Sequence, residues 1–178
     1  YSLLDPVKLE ILDKTHSPFD YTVDVQEINI QSWIDYFDGI PSMDEIRTLI
    51  FYSNYEQLQQ QFNNTKGKET ENKLINLLQK KKERETRDYL LFAKRTEPHA
   101  TWYPYYWDAE RDTVELGNLI DEAKANYSKT TSTFIKKRYA YQIIRLNHYR
   151  KHYEEVVNSF DTYVKPYWEK DFIDYWAL

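Results

Sequence analysis

From residue 29 onward, apolar positions recur at the spacing of a helix. Ile30, Trp33, Ile34 and Phe37 fall at i, i+3, i+4 and i+7, a single apolar stripe. Asn29 suits an N-cap, and Gly39 followed by Pro41 suits a stop. Ser42 to Glu45 has the form of a capping box, in which Ser and Glu satisfy each other's orphan backbone donors. Ile46, Leu49 and Ile50 follow on one face. Ser53 to Glu56 repeats the form ahead of Leu58 and Phe62, so 43–62 reads as two short helices with a corner at Ser53. A polar loop around Gly67 leads to a helix over 70–81 carrying Leu74, Leu77 and Leu78. The next helix, over 84–97, is apolar on much of its circumference (Tyr89 to Ala93) and asks for neighbours on several sides. Pro98 ends it.

The second half continues in the same style. Asp112 opens a helix with Leu116, Leu119, Ile120, Ala123 and Tyr127. After a polar link, Phe134 to Tyr149 forms a long helix whose apolar residues (Phe134, Ile135, Tyr139, Ala140, Ile143, Ile144, Leu146) cover more than one face. A tight turn at Arg150-Lys151 precedes a one-sided stripe of Tyr153, Val156, Val157, Phe160 and Val164, broken by Pro166. A last helix begins near Glu169. The expectation is an all-α fold of about eight short helices in antiparallel pairs. Residues 1–28 read as an irregular extended segment: Asp5-Pro6 and Ser17-Pro18 are turn signals, and the alternation at Tyr21, Val23 and Val25 has no second strand to pair with. Residues 29–178 then form the helical domain. Its amphipathic pattern from Asp171 to Leu178 breaks off before a stop signal, which suggests a fragment of a longer protein.

Short helices joined by tight turns, with a well-buried helix alternating with a one-sided one, describe an α-solenoid. Within 134–166, the second helix reads Tyr153-Glu154-Glu155-Val156, then Phe160, Tyr163 and Pro166. Those positions resemble the tyrosine, small residue, aromatic and closing proline of a tetratricopeptide repeat. The stretch departs from that pattern at Arg145, Lys151, Val156 and Tyr163, and the pairs 43–62 and 70–97 do not repeat the signature. The resemblance is to a divergent helical repeat. It implies a protein-binding or scaffolding role and transfers no catalytic residue.

Composition narrows the alternatives. In 178 residues there are 3 Gly and no Cys, beside 41% hydrophobic and 30% charged residues. That is a folding composition in a length suited to one domain. Glycine at about a quarter of its usual ~7% suits helices rather than turn-rich sandwiches or phosphate loops. Without cysteine there is no disulfide, thiolate nucleophile or Cys-ligated zinc. A net charge of −5 argues against general affinity for nucleic acid or anionic lipid. No apolar run approaches the roughly 18 residues of a membrane span, so a soluble chain, cytoplasmic or periplasmic, is expected.

The most unusual local feature is Trp102, Tyr103, Tyr105, Tyr106 and Trp107 around Pro104. These rings either pack as a plug between neighbouring helices or form a partner-binding patch. With Asp108, Glu110 and Asp112 beside them they could also stack on sugars. His148, His152 and Glu155 have metal-ligand spacing on an unbroken helix, but the turn at Arg150-Lys151 falls between the histidines. The basic run Lys80 to Arg87 is interrupted by glutamates and reads as a solvated corner. Phosphate-loop, dinucleotide and nucleophile-elbow patterns are absent from the sequence. The resulting expectation is a non-catalytic scaffold or adaptor without cofactor or metal. Its partner is a protein or peptide, or another part of its own chain. A carbohydrate-binding module and a purely structural spacer are the alternatives.

Overall fold

Helix boundaries follow from where backbone donors find side-chain acceptors. The structure, a computed structural model, describes residues 25–64, 70–99, 112–171, 173, 174 and 177. Its described residues form eight α-helices and no strand. Helix α1 spans Val25–Tyr36, α2 Met43–Arg47, α3 Tyr55–Asn64, α4 Lys73–Leu78 and α5 Arg84–Thr96. Helix α6 spans Thr113–Lys129, α7 Thr133–Tyr149 and α8 Tyr153–Ser159. The fold is all-α, as the periodicity required.

Most sequence-derived boundaries hold within a few residues. Ser42 and Glu45 close their capping box, with Glu45 accepting the Ser42 backbone N–H at 2.7 Å. The corner at Ser53 is present, its backbone extended at φ −84° and ψ 139°. The second box is displaced by one residue: Asn54 and Gln57, not Ser53 and Glu56, bond each other's backbone N–H at 2.9 Å. Asparagine and glutamine satisfy the same orphan donors as serine and glutamate. Asp112 and Ser132 cap α6 and α7. Gly39 (φ 72°) supplies the left-handed residue after α1, its N–H returning to the Ile34 carbonyl at 2.9 Å.

Three boundaries differ. Helix α1 begins at Val25, so the irregular segment expected over 1–28 does not reach residue 28, and Asn29 is an interior position rather than a cap. The helix expected over 70–81 shortens to Lys73–Leu78, capped by Asn72. The stripe after the Arg150-Lys151 turn (Lys151 φ 63°) is α-helical only to Ser159, then widens into a π turn at Phe160–Val164 and a 3₁₀ turn at Lys165–Tyr167. Pro166 has no N–H to continue an α-helix, and the chain tightens into the 3₁₀ turn that contains it. Residues 1–24 lie outside the described residues.

The core is organised around α7. Its contact with α6, across a three-residue link that forces the two antiparallel, is the most extensive between helices of the described residues, followed by α7 with α8. Helix α5 also packs on it. Tyr139, 1% exposed, sits at the centre, edge-on to Tyr89 at 5.1 Å and against Phe92 at 5.4 Å. The main core runs from Ile30 through Leu146. A smaller cluster of Ala140, Ile144, Val164 and Ala177 adjoins it on a neighbouring face of α7, with Tyr127 and Tyr163 packed against both. The stripe that begins on α8 is buried in part: Val164 is in the smaller cluster with Val156 and Phe160 packed against it, whereas Tyr153 and Val157 are 59% and 63% exposed.

One carboxylate ties α5 to the start of α7. Glu85 accepts from the Thr131 and Ser132 backbone N–H groups at 3.0 Å and from the Thr131 hydroxyl at 3.0 Å. Partial burial works against its charge. The Ser132 and Thr131 hydrogen bonds outweigh that and hold the carboxyl below its ordinary 4.5. Because the folded value is the lower one, this contribution is complete above about 4.5 and fades as pH falls through the folded value. Replacing Glu85 by Ala is expected to cost about 2 kcal/mol at pH 7, in the range for hydrogen bonds to a charged group. Urea unfolding at pH 7 and pH 3.5 checks this: the difference between wild type and variant should shrink at the lower pH.

Candidate functional site

Helices α1, α5 and α7 leave a cavity between them, with a volume of about 400 Å3. Asn29 and Trp33 come from α1, and Tyr89, Leu90, Ala93 and Lys94 from α5. The π turn Thr48–Tyr52, closed by the Ser53 N–H to the Thr48 carbonyl at 3.0 Å, supplies Ile50 and Phe51. A π turn carries an extra residue per turn, and such insertions recur at functional positions. Glu97 and Ile173 complete the lining beside the contribution of α7.

That contribution is the distinctive one. Arg138, Gln142, Arg145 and Tyr149 fall at i, i+4, i+7 and i+11, one face of a helix, and all four line the cavity with Tyr141. Arg138 and Gln142 are only 3% and 4% exposed. The floor is therefore polar as well as aromatic. Arg138 lies over the Phe134 ring at 3.5 Å and the Trp33 ring at 4.5 Å. It donates to the Ser32 hydroxyl at 2.8 Å, to Asn29 Oδ1 at 3.5 Å and to the Phe134 carbonyl at 3.4 Å. Burial pushes this guanidinium down to about 10. Tyr89 stacks on Trp33 at 6.2 Å. Burial raises the hydroxyls of Tyr89 and Tyr141, with Arg138 and Arg145 opposing the shift.

Lys94, 6% exposed, bonds Glu97 at 2.8 Å. The described lining thus holds three cations, Lys94, Arg138 and Arg145, against one carboxylate. Half-buried Phe51, Tyr141, Arg145, Tyr149 and Glu97 form the rim, and buried Trp33, Tyr89, Lys94, Arg138 and Gln142 the floor. Chemically, such a lining attracts a negative group and offers flat apolar surface to whatever carries it.

No family model matches this chain, and no curated protein or solved structure matches it either. The site therefore rests on its own geometry.

The aromatic run proposed from the sequence, Trp102, Tyr103, Tyr105, Tyr106 and Trp107, lies outside the described residues. The histidine pair is divided as the turn required: exposed His148 packs its ring edge-on to Tyr149 and Tyr153, with Arg150 and Lys151 between it and His152. Among the described residues no cluster of three or more metal-ligating side chains occurs, and no helix is long and apolar enough to cross a membrane. In the charged run, Lys80, Lys81, Lys82 and Arg84 are exposed, whereas Glu83 turns inward to accept from Thr86 at 3.1 Å. The apolar pattern of α7 does not reveal the cavity. The signal lies in Arg138, Gln142 and Arg145, polar residues spaced along one face of a helix that carries apolar residues on more than one other.

A second charged cluster adjoins the cavity. Lys137, beside Arg138 in sequence but turned the other way, reaches Glu169, Asp171 and Asp174 at 2.7, 2.9 and 3.2 Å. These acids bracket Ile173, so the cluster positions one wall of the cavity.

Proposed function

We propose that this chain is a non-catalytic protein-interaction module, a divergent tetratricopeptide-like helical stack. It receives a segment of another protein, or of its own chain, in the cavity between α1, α5 and α7. The observation that carries the reading is the lining itself, in which the rings of Trp33, Phe51, Tyr89 and Tyr149 stand beside Lys94, Arg138 and Arg145. Recognition fits this better than catalysis does. The one carboxylate of the described lining is engaged by Lys94 at 2.8 Å, and the described lining holds no serine, threonine or histidine to act as nucleophile or base. Electrostatic complementarity then favours acidic partners despite the chain's overall negative charge.

A synthetic array of peptides blocked at both ends, half of them acidic, tests this. Wild-type protein is expected to retain acidic peptides preferentially, and Arg145→Glu, at the rim, to lose at least tenfold in that retention. Binding indifferent to peptide charge and to Arg145→Glu would overturn the reading. No binding at all would leave the chain a structural spacer.

A further inference from the structure

We infer that Tyr127 and Tyr167 form an ammonium-binding corner whose ligand is an N-methylated ammonium group, with Lys136 of the chain itself as its displaceable resident. The corner shares no residue with the lining of the cavity, so it stands or falls separately from the use made of that cavity.

Three elements build it. Tyr127 comes from the last turn of α6, Lys136 from the first turn of α7 and Tyr167 from the 3₁₀ turn at Lys165–Tyr167. The two rings stand 6.4 Å apart at 74° to each other, as two walls of a corner. Lys136 Nζ lies over both, 5.2 Å from the Tyr127 centroid and 5.5 Å from that of Tyr167. Both walls are held in place. Tyr127 donates its hydroxyl to the Tyr163 carbonyl at 3.2 Å and meets the Tyr163 ring edge-on at 5.0 Å. Pro166 restricts the turn that carries Tyr167. Burial, with Tyr167 and Tyr163 adding to it, pushes the Tyr127 hydroxyl up to about 12. This wall is therefore uncharged at neutral pH and attracts a cation through its ring face.

Spacing selects the cation. Elsewhere in the protein Arg138 lies on the Phe134 ring at 3.5 Å, the separation of direct contact. Lys136 Nζ stands well outside that separation from either tyrosine. A carbon–nitrogen bond is about 1.45 Å long, and carbon rests against carbon at about 3.5–4.0 Å. A methylated nitrogen above a ring face thus belongs at roughly 5.0–5.5 Å from it, where the Lys136 nitrogen already is. The corner is too wide for a primary ammonium to touch both walls, and it has the width for one that carries methyl groups. Hydration points the same way. The ammonium of lysine is compact and strongly hydrated, whereas methyl groups replace its hydrogen-bond donors and make it easier to take out of water. Quaternary ammonium groups are the cations that aromatic walls of this kind recognise. Lys136 is half-buried, and Glu85 lies within its electrostatic reach, so the displaced side chain keeps a counter-charge.

The test is calorimetric titration of the full 178-residue chain with four probes: trimethyl-lysine blocked at both ends, unmodified lysine blocked likewise, choline, and the uncharged isostere of choline in which carbon replaces nitrogen. Wild-type protein is expected to bind trimethyl-lysine about tenfold more tightly than lysine, and choline about tenfold more tightly than its isostere, the effect of a desolvated cation–π contact. Lys136→Ala empties the corner. It should tighten the binding of trimethyl-lysine by about threefold or more, because a resident lowers apparent affinity by the fraction of time it occupies the site. Tyr167→Leu removes one wall and should abolish the preference for the charged probes, with circular dichroism as the check on folding. Should that variant unfold, Lys136→Ala still decides. If choline binds as well as trimethyl-lysine, the ligand is a free quaternary ammonium compound; if it binds much more weakly, a methylated lysine side chain is what is read. Binding indifferent to charge and methylation, affinity unchanged or lowered in Lys136→Ala, or no binding by either wild type or Lys136→Ala overturns the inference.

Discussion

Replacing Lys137 by Met is expected to lower the unfolding free energy by about 3–5 kcal/mol, the range for breaking a buried ion pair from one side. For a chain of this size that amounts to a fall in Tm of roughly 10 °C. The side chain of Lys137 is 4% exposed and that of Asp174 1% exposed. Without the ammonium, Asp174 keeps only the backbone N–H groups of Glu169 at 2.8 Å and Asp171 at 3.3 Å. Burial disfavours the ammonium, but hydrogen bonds to Glu169 and Asp171 outweigh it and hold Lys137 above its ordinary 10.5. A folded value above the unfolded one means that this stabilisation is complete below about 10.5 and disappears as pH rises through the folded value. Thermal melts at pH 7 and pH 11 read both effects: the gap between wild type and Lys137→Met should be smaller at the second than at the first. The double variant Lys137→Met, Asp174→Asn should lose less than the two single variants together, since they act on one interaction. A loss below about 1 kcal/mol for Lys137→Met would show that the cluster is not holding the segment.

Trp33→Ala should be comparably damaging, about 3–5 kcal/mol, for a different reason. Trp33 is 2% exposed. Its ring stacks on Phe37 and Tyr89 at 6.2 Å and meets the Phe134 edge at 4.9 Å, with Arg138 above it. Truncation leaves a void among four residues, from α5, α7 and the turn that ends α1, and uncovers a guanidinium whose burial already works against its charge. Trp33→Phe keeps most of the packing and should cost less than half as much. Urea unfolding followed by circular dichroism distinguishes the two variants. Equal losses would mean that the indole contributes nothing beyond a generic ring.

Local sequence determined the helices because their determinants are local. The Ser42–Glu45 box, the Asp112 cap, Gly39 in its left-handed turn and the apolar spacing of α6 and α7 each act within one or two turns of backbone. Even the displaced box at Asn54 lay one residue from its expected place, since Ser53 and Asn54 are both good caps. Apolar spacing places the start of α1 four residues late because Gln26, Glu27 and Ile28 carry no apolar stripe, and Asn29, a good cap residue by type, marks a false start inside the helix. The stripe that begins on α8 is legible as a pattern, yet the exposure of Tyr153 and Val157 within it is not, because an amphipathic helix does not state which neighbour covers it.

The site depended on tertiary structure throughout. Arg138 lies 106 residues from Ser32, and Lys137 lies 32 to 37 residues from the acids it holds. No spacing rule connects them. A buried charge is tolerated only where partners arrive from elsewhere in the chain, so the residues that sequence alone marks as improbable core, Lys94, Lys137, Arg138 and Gln142, are the ones whose meaning the fold had to supply. The sequence by itself determined an all-α chain, its caps and most of its apolar faces, because those are set by hydrogen bonds and periodicity within a few residues. Which polar side chains were gathered inside, and around what cavity, was decided by packing between helices far apart in sequence.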